Sequence, residues 1–299
     1  THPPAPSGGA AKTGKEILAI WNAADKLTTL VTKTAAVPEP WFTNRRIVTR
    51  DETGKAQPFL WDKLPNLQDS FAPGKPARGK ALVAYLRGSS ENEGTEDGNF
   101  RPRSKALGDI VNSSPVYVGA PSAPYKEGYD PGYPAWKASV SRPAMIYVGA
   151  NDGMLHAVDD ATGSEVWAYV PSALYRQPDP PEVVGAKYPN LLGALAFQEA
   201  DLPKFKHRFL VDGPITVTDA NVDGTWKTML VGGLGKGGKS FYAVDVTDPA
   251  SIKTEADAAN ALMWEFNHSD LGYSFGKPLI TKTNAFGGKW VVVVSSGYN

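Results

Sequence analysis

Two stretches of this 299-residue chain have the residue types and spacing to hold a charged ligand. Gly233-Leu234-Gly235-Lys236-Gly237-Gly238-Lys239-Ser240 fits the phosphate-loop pattern G-x-x-x-x-G-K-S, in which backbone amides cradle phosphate oxygens and a lysine adds charge. Asp219, Asn221 and Asp223, with Gly224 after them, supply positions 1, 3, 5 and 6 of a calcium loop. The context argues against both. A phosphate loop opens a helix whose N-terminus holds the anion. Here Ser240 runs into Phe241-Tyr242-Ala243-Val244-Asp245-Val246, which is β-rich. The calcium loop has Lys227 at position 9 and Leu230 at position 12, so the bidentate carboxylate is missing and an ammonium stands beside the cation site. A glycine hairpin and an Asx-rich turn are the expectation for these stretches. The four histidines, His2, His156, His207 and His268, are not spaced as metal ligands. His156 lies in a strand pattern and is expected to be a packed or edge residue rather than a base. No Ser/His/Asp set stands out.

The elements that carry these residues form a repeat. Tyr147-Val148-Gly149, a short loop and Ala157-Val158-Asp159 recur as Leu230-Val231-Gly232, a glycine loop and Ala243-Val244-Asp245, followed by Trp167 and Trp264 respectively. A second equivalence agrees. Trp226 follows Pro214, and Trp290 follows Pro278, by 12 residues in each case. The unit reads as a four-stranded blade: a Pro-opened strand, a strand into Gly, a strand ending Ala-Val-Asp, and a strand with Trp. About three units are visible, the last cut short, so the fold expectation is a mainly β, incomplete β-propeller. Three segments follow: a disordered tether over 1–12, a helical and irregular lead-in over 13–106, and propeller blades over 107–299. Within the lead-in, Ile17, Leu18, Trp21, Ala24, Leu27, Leu30 and Val31 predict a helix from Thr13 to about Lys33, ended by Pro38 and Pro40. Arg46–Arg50 reads as a short strand, and Lys80–Leu86 as a helix turn closed by Gly88.

Bulk properties narrow the function classes. The 31 basic and 31 acidic residues cancel, which gives no electrostatic footprint for nucleic acid. No apolar run approaches the roughly 20 residues of a membrane span. There are no cysteines, so disulfides and thiolate metal sites are excluded. The start at Thr1, without methionine or a signal-like segment, reads as a processed or excised piece. The stop just after Trp290–Val294 resembles a cut inside a hairpin. Tyr125, Tyr129, Tyr133 and Trp136 crowd a Pro/Gly-rich insertion over 120–142. They read either as a contact surface or as a cap on the blade below.

Two resemblances add to this. Ala157, Asp159, Thr162, Gly163 and Trp167 resemble the blade motif of quinoprotein-like propellers, with Asp245 and Trp264 as the second copy. The physical reading is structural, a tight Asp/Thr/Gly reversal and an indole buried between sheets. The alternative that the motif raises is a quinone-dependent dehydrogenase. More specifically, Leu107-Gly108-Asp109-Ile110-Val111-Asn112-Ser113-Ser114-Pro115-Val116-Tyr117-Val118-Gly119 resembles a signature of the type IV pilus-associated PilC/PilY family. Trp21–Ala24, Arg46–Thr49, Leu82–Gly88, Phe100–Arg103, Met145–Ala157, Val231–Gly238 and Ala243–Thr247 resemble further pieces of it, in order. That resemblance implies a modified β-propeller at the pilus tip or outer-membrane surface of a Gram-negative bacterium. It implies roles in pilus assembly, retraction control and adhesion, with pilins or minor pilins and a host-cell or abiotic surface as partners. A non-enzymatic binding role is the expectation; an outer-membrane assembly scaffold is the other alternative. The family's calcium loop has a further Asp that the loop at Asp219 lacks, so no cofactor is expected in this segment, and a calcium site is expected downstream of it in the complete protein.

Overall fold

The computed structural model describes residues 19–71, 74–95, 99–176, 190–196 and 207–297. The tether expected over 1–12 lies outside them, as does the beginning of the helix expected from Thr13. The lead-in contains α1 (Ala23–Val31), α2 (Pro40–Thr43), β1 (Ile47–Arg50), β2 (Ala56–Pro58), α3 (Pro65–Phe71) and α4 (Pro76–Leu86). Next come β3 (Val116–Val118), α5 (Tyr133–Ser139), β4 (Met145–Ala150), β5 (Met154–Asp159), β6 (Glu165–Tyr169) and α6 (Ala173–Arg176). The remainder is β7 (Ile215–Val222), β8 (Thr225–Gly233), β9 (Phe241–Asp245), α7 (Glu255–Asn260), β10 (Leu262–Phe266), β11 (Leu279–Thr283) and β12 (Lys289–Val293).

The strands form three sheets. β3, β4, β5 and β6 make one antiparallel meander and β7 to β10 another, and β11 pairs with β12 alone. In both Pro–Trp units the indole lies near the start of the second strand of a hairpin, but the cross-strand register differs between the two. Trp226 near the start of β8 faces Asn221 of β7, and Trp290 near the start of β12 faces Lys282 of β11. β8 is buried along nearly all its length because both of its faces are covered by neighbouring layers.

The short strand expected over 46–50 forms as β1, and the lead-in does more than pack onto the propeller. β1 and β2 enter the first sheet, whose order is β2-β1-β6-β5-β4-β3, with β1 parallel to β6 and Ile47 opposite Ala168. The physical reason is in β1 itself. Ile47, Val48 and Thr49 are fully buried β-branched residues that fit the edge of β6, which would otherwise have unpaired backbone groups. The helix expected as far back as Thr13 shows its described start at Ala23. Asn22 is extended and caps it, its side chain accepting from the amides of Ala24 and Asp25. Trp21, counted in the helical stripe, instead donates its indole N–H to the carbonyl of Asp160 at 2.8 Å. Pro40 opens α2 rather than ending α1, which has already stopped at an extended Thr32.

One continuous core joins the lead-in (Phe59, Leu82, Tyr85, Phe100), the first sheet (Tyr147, Trp167, Tyr169) and the second (Leu230, Tyr242, Val244). A smaller cluster, built on Met229, Val231 and Ile280, lies between the second sheet and the β11–β12 hairpin. No helix among the described residues is long and apolar enough to cross a membrane.

Candidate functional site

The chain concentrates its buried polar groups where the lead-in meets the two meanders. His156, on β5, has 1% of its surface exposed. Its Nδ1 lies 2.7 Å from Glu165 Oε2, and its Nε2 lies 3.1 Å from both oxygens of Asp152. Glu165 also receives two bonds from Arg45, at 2.7 and 2.8 Å. Arg45 then donates to the carbonyl of Arg87 at 2.7 Å. Arg87 is wholly buried and donates to the carbonyls of Trp41, Phe59 and Arg45 and to Glu255, which lies 2.8 Å away. These groups therefore link the lead-in, the first meander and α7 of the second.

Mutual neutralisation fixes the charge states. Burial by itself would lower the His156 pKa, but Asp152 and Glu165 outweigh it and push the value up to about 9. Burial by itself would raise Glu165, but Arg45 and His156 hold it down at about 2. Asp152 is lowered in the same way, burial being outweighed by His156 and the Gly108 amide. His156 is thus an imidazolium with both N–H groups engaged, and it has no lone pair available to act as a base.

The segment over 107–119 is fastened to this network. Gly108 N donates to Asp152 Oδ2 at 2.8 Å, and Asn151 donates to Asp109 through its main-chain and side-chain nitrogens. Asn151 Oδ1 accepts from Leu210 N at 2.9 Å, and Asn112 binds both oxygens of Asp212. The segment therefore joins the β4–β5 turn to the entry of β7.

The two ligand-like stretches are both absorbed into the fold. Ser240 leads into β9, and the glycine loop packs against chain. Gly235 N donates to Ser274 O, Leu234 N to Ser274 Oγ, and a Cβ on Gly237 would lie 1.9 Å from Leu210 O. Asp219 accepts from Tyr133 Oη at 2.6 Å and from Thr228 Oγ1 at 2.7 Å, and Asn221 accepts from Gly224 N at 2.9 Å. Asp223 and Gly224 have φ of 50° and 85°, the primed turn that a two-residue hairpin needs. Among the described residues, no group of three His, Asp or Glu could hold a metal.

In the blade motif, Asp159 Oδ1 accepts from both the amide and the hydroxyl of Thr162, Gly163 takes φ +72°, and Ala157 pairs with Trp167 across β5–β6. Asp245 does the same for Thr247, but its strand continues into the longer α7 connection before Trp264 pairs with Ala243. In the insertion, Tyr133 is fully buried and Tyr125 and Trp136 are half-buried. They gather on Trp226, with centroids 4.8, 5.9 and 6.3 Å from its ring. Tyr133 has no surface to offer a partner, whereas Tyr129 is 81% exposed. Beside them a cleft of about 610 Å³ separates the second meander from β11–β12, lined by Trp226, Trp264, Trp290, Met229, Met263 and Ile280. Sequence reasoning missed Arg45, Arg87, Glu165 and Glu255. The available signal was a charge set inside or beside apolar residues, as in Tyr85-Leu86-Arg87 and Glu165-Val166-Trp167.

Two successive four-stranded meanders, followed by the hairpin β11–β12, define an open β-propeller among the described residues. The family model of the PilY1 beta-propeller domain matches residues 107–299, and the chain belongs to that family. It is 36% identical over 286 residues to the type IV pilus biogenesis factor PilY1 of Pseudomonas aeruginosa strain PAO1, covering 88% of this chain and 22% of that protein. It is 38% identical over 226 residues to a PilY1 homolog of Xylella fastidiosa, covering 73% of this chain and 16% of that one. The chain thus spans about a fifth of the length of these curated relatives. The crystal structure of the Pseudomonas aeruginosa PilY1 C-terminal domain is 35% identical, with a TM-score of 0.42, over 61% of this chain and 31% of that one.

Proposed function

We propose that this chain serves type IV pilus biogenesis as the propeller portion of a surface-exposed factor. It acts at the pilus tip in assembly and in opposing retraction, and it contributes to adhesion. The observation that carries the reading is the family match over 107–299, together with relatives named as type IV pilus biogenesis factors. Its partners are pilins or minor pilins and a host or abiotic surface. The work is binding rather than turnover, which agrees with a histidine locked as a cation between two carboxylates. Tyr129 is the contact residue of the insertion, since it alone of the four aromatics there is largely exposed.

The test is genetic. Deleting the gene in the source bacterium removes surface pili, and disabling retraction in the same strain restores them. Complementation with Tyr129→Ala restores piliation but not full attachment. Unchanged pilus counts after deletion would overturn the assembly role, and quinone-dependent dye reduction by the purified protein would favour an enzyme.

A further inference from the structure

The lead-in meets the first blade through a geometry that resists pulling. β1 runs parallel to β6, and the chain leaves β6 from its C-terminal end towards the second blade. Tension applied to residues before β1 and taken up by the blades therefore acts on opposite ends of the two strands. It shears their hydrogen bonds together instead of opening them one by one. The bonds in question are Ala168 N to Arg46 O and Val170 N to Val48 O, both 2.9 Å, and Thr49 Oγ1 to Val170 O at 2.6 Å.

A dry ion pair stands directly upstream of this strand. Arg45 and Glu165 each have 2% of their side chains exposed, and their contact is bidentate. Withdrawing Arg45 breaks two charge-assisted hydrogen bonds at once and leaves the buried Glu165 with His156 as its remaining cationic partner, so the contact yields late. Arg87 holds the Arg45 carbonyl from the other side and reaches Glu255, which also accepts from Ile47 N at 3.2 Å. The segment outside this point is held without strand pairing, by the small cluster of Leu27, Val31 and Trp41, by single hydrogen bonds from Trp21 to Asp160 and from Arg87 to the Trp41 carbonyl, and by surface pairs such as Lys105–Asp25.

We propose that Arg45 and β1 form a clasp that resists shear, through which tension entering from the N-terminal side passes into the blades without unfolding them. The source of that load rests on the pilus reading above. The clasp itself is a property of the isolated chain, so it can fail while that reading stands, and the reverse.

The experiment is force spectroscopy on the full chain. The chain has no cysteine, so handles attach uniquely at Ile20→Cys, 88% exposed, and at Thr225→Cys on the β7–β8 tip. The expected record at constant force is an early, short extension as α1 detaches, followed by a long-lived state that ends when β1 leaves β6. Arg45→Lys keeps the charge but loses the bidentate contact, and it shortens that state about ten-fold or more. Thr49→Val, a milder change, shortens it by a smaller factor and guards against a variant that does not fold. Lys33→Ala, at the exposed Lys33–Glu91 pair, leaves it unchanged. The proposal is overturned if the blades open before β1 detaches, or if folded Arg45→Lys and Thr49→Val show the native lifetime.

Discussion

His156 and Glu165 are joined by a 2.7 Å hydrogen bond between adjacent strands of the first blade, and each carries a charge that the other stabilises. His156 is raised in the folded state, so its contribution is complete below its unfolded value near 6.5 and is lost as pH climbs towards about 9. Glu165 is depressed, so its contribution is present above about 4.5 and is lost as pH falls towards about 2. Denaturation midpoints are therefore expected to be higher at about pH 5.5 than at about pH 9, and His156→Gln flattens that alkaline decline. An unaltered decline in the variant would place the titration on another group.

Trp226 is the floor on which the insertion rests. It is 7% exposed, touches Tyr125, Tyr133, Trp136 and Trp290, and donates its indole N–H to Pro131 O at 3.0 Å. Trp226→Ala is expected to cost about 3–5 kcal/mol in urea denaturation. It should also speed amide exchange over 120–142, while exchange in β4 and β5 stays slow. Equal loss of protection in β4 and β5 would mean that the insertion and the first blade unfold as one.

Gly163 and Gly224 separate two effects of adding a methyl group. Both have positive φ, +72° and +85°, but a Cβ on Gly224 meets open space while one on Gly163 would lie 2.4 Å from the Trp21 ring. Gly224→Ala should cost only the backbone penalty of roughly 1–2 kcal/mol. Gly163→Ala should cost more and should loosen residues 19–31, seen as faster amide exchange there. Equal costs would show that Trp21 moves aside freely.

Two of the three side chains that would ligate a cation at the β7–β8 tip already accept from donors of the chain, Asp219 from Tyr133 and Thr228 and Asn221 from Gly224. Calorimetric titration with calcium is expected to give no saturable heat at this loop. A micromolar isotherm abolished by Asp223→Ala would overturn that.

The propeller was legible in the sequence because its evidence is local and repeated. Pro214 to Trp226 and Pro278 to Trp290 keep one spacing, and β7–β8 and β11–β12 form at those places. The turn at Asp159 and the strand after Ser240 were legible for the same reason, since turn chemistry and β-rich runs act over a few residues. The clasp was not legible. Arg45 and Glu165 are 120 residues apart, and nothing near either one names its partner. Trp21 fits a helical stripe, whereas its actual partner, the turn at Asp160–Gly163, is far along the chain. Residue type does not decide between contact and cap for the insertion aromatics, because it does not reveal burial: Tyr133 and Tyr129 are four residues apart, and one is buried and the other exposed.

The Asp223–Gly224 tip has a practical consequence. It ends a long hairpin, its glycine has nothing within 4 Å of where a side chain would begin, and Thr225 beside it is exposed. A reporter peptide or epitope grafted there would extend the hairpin outward without entering the core. That would give a labelled protein whose position on a living cell could be followed under the microscope.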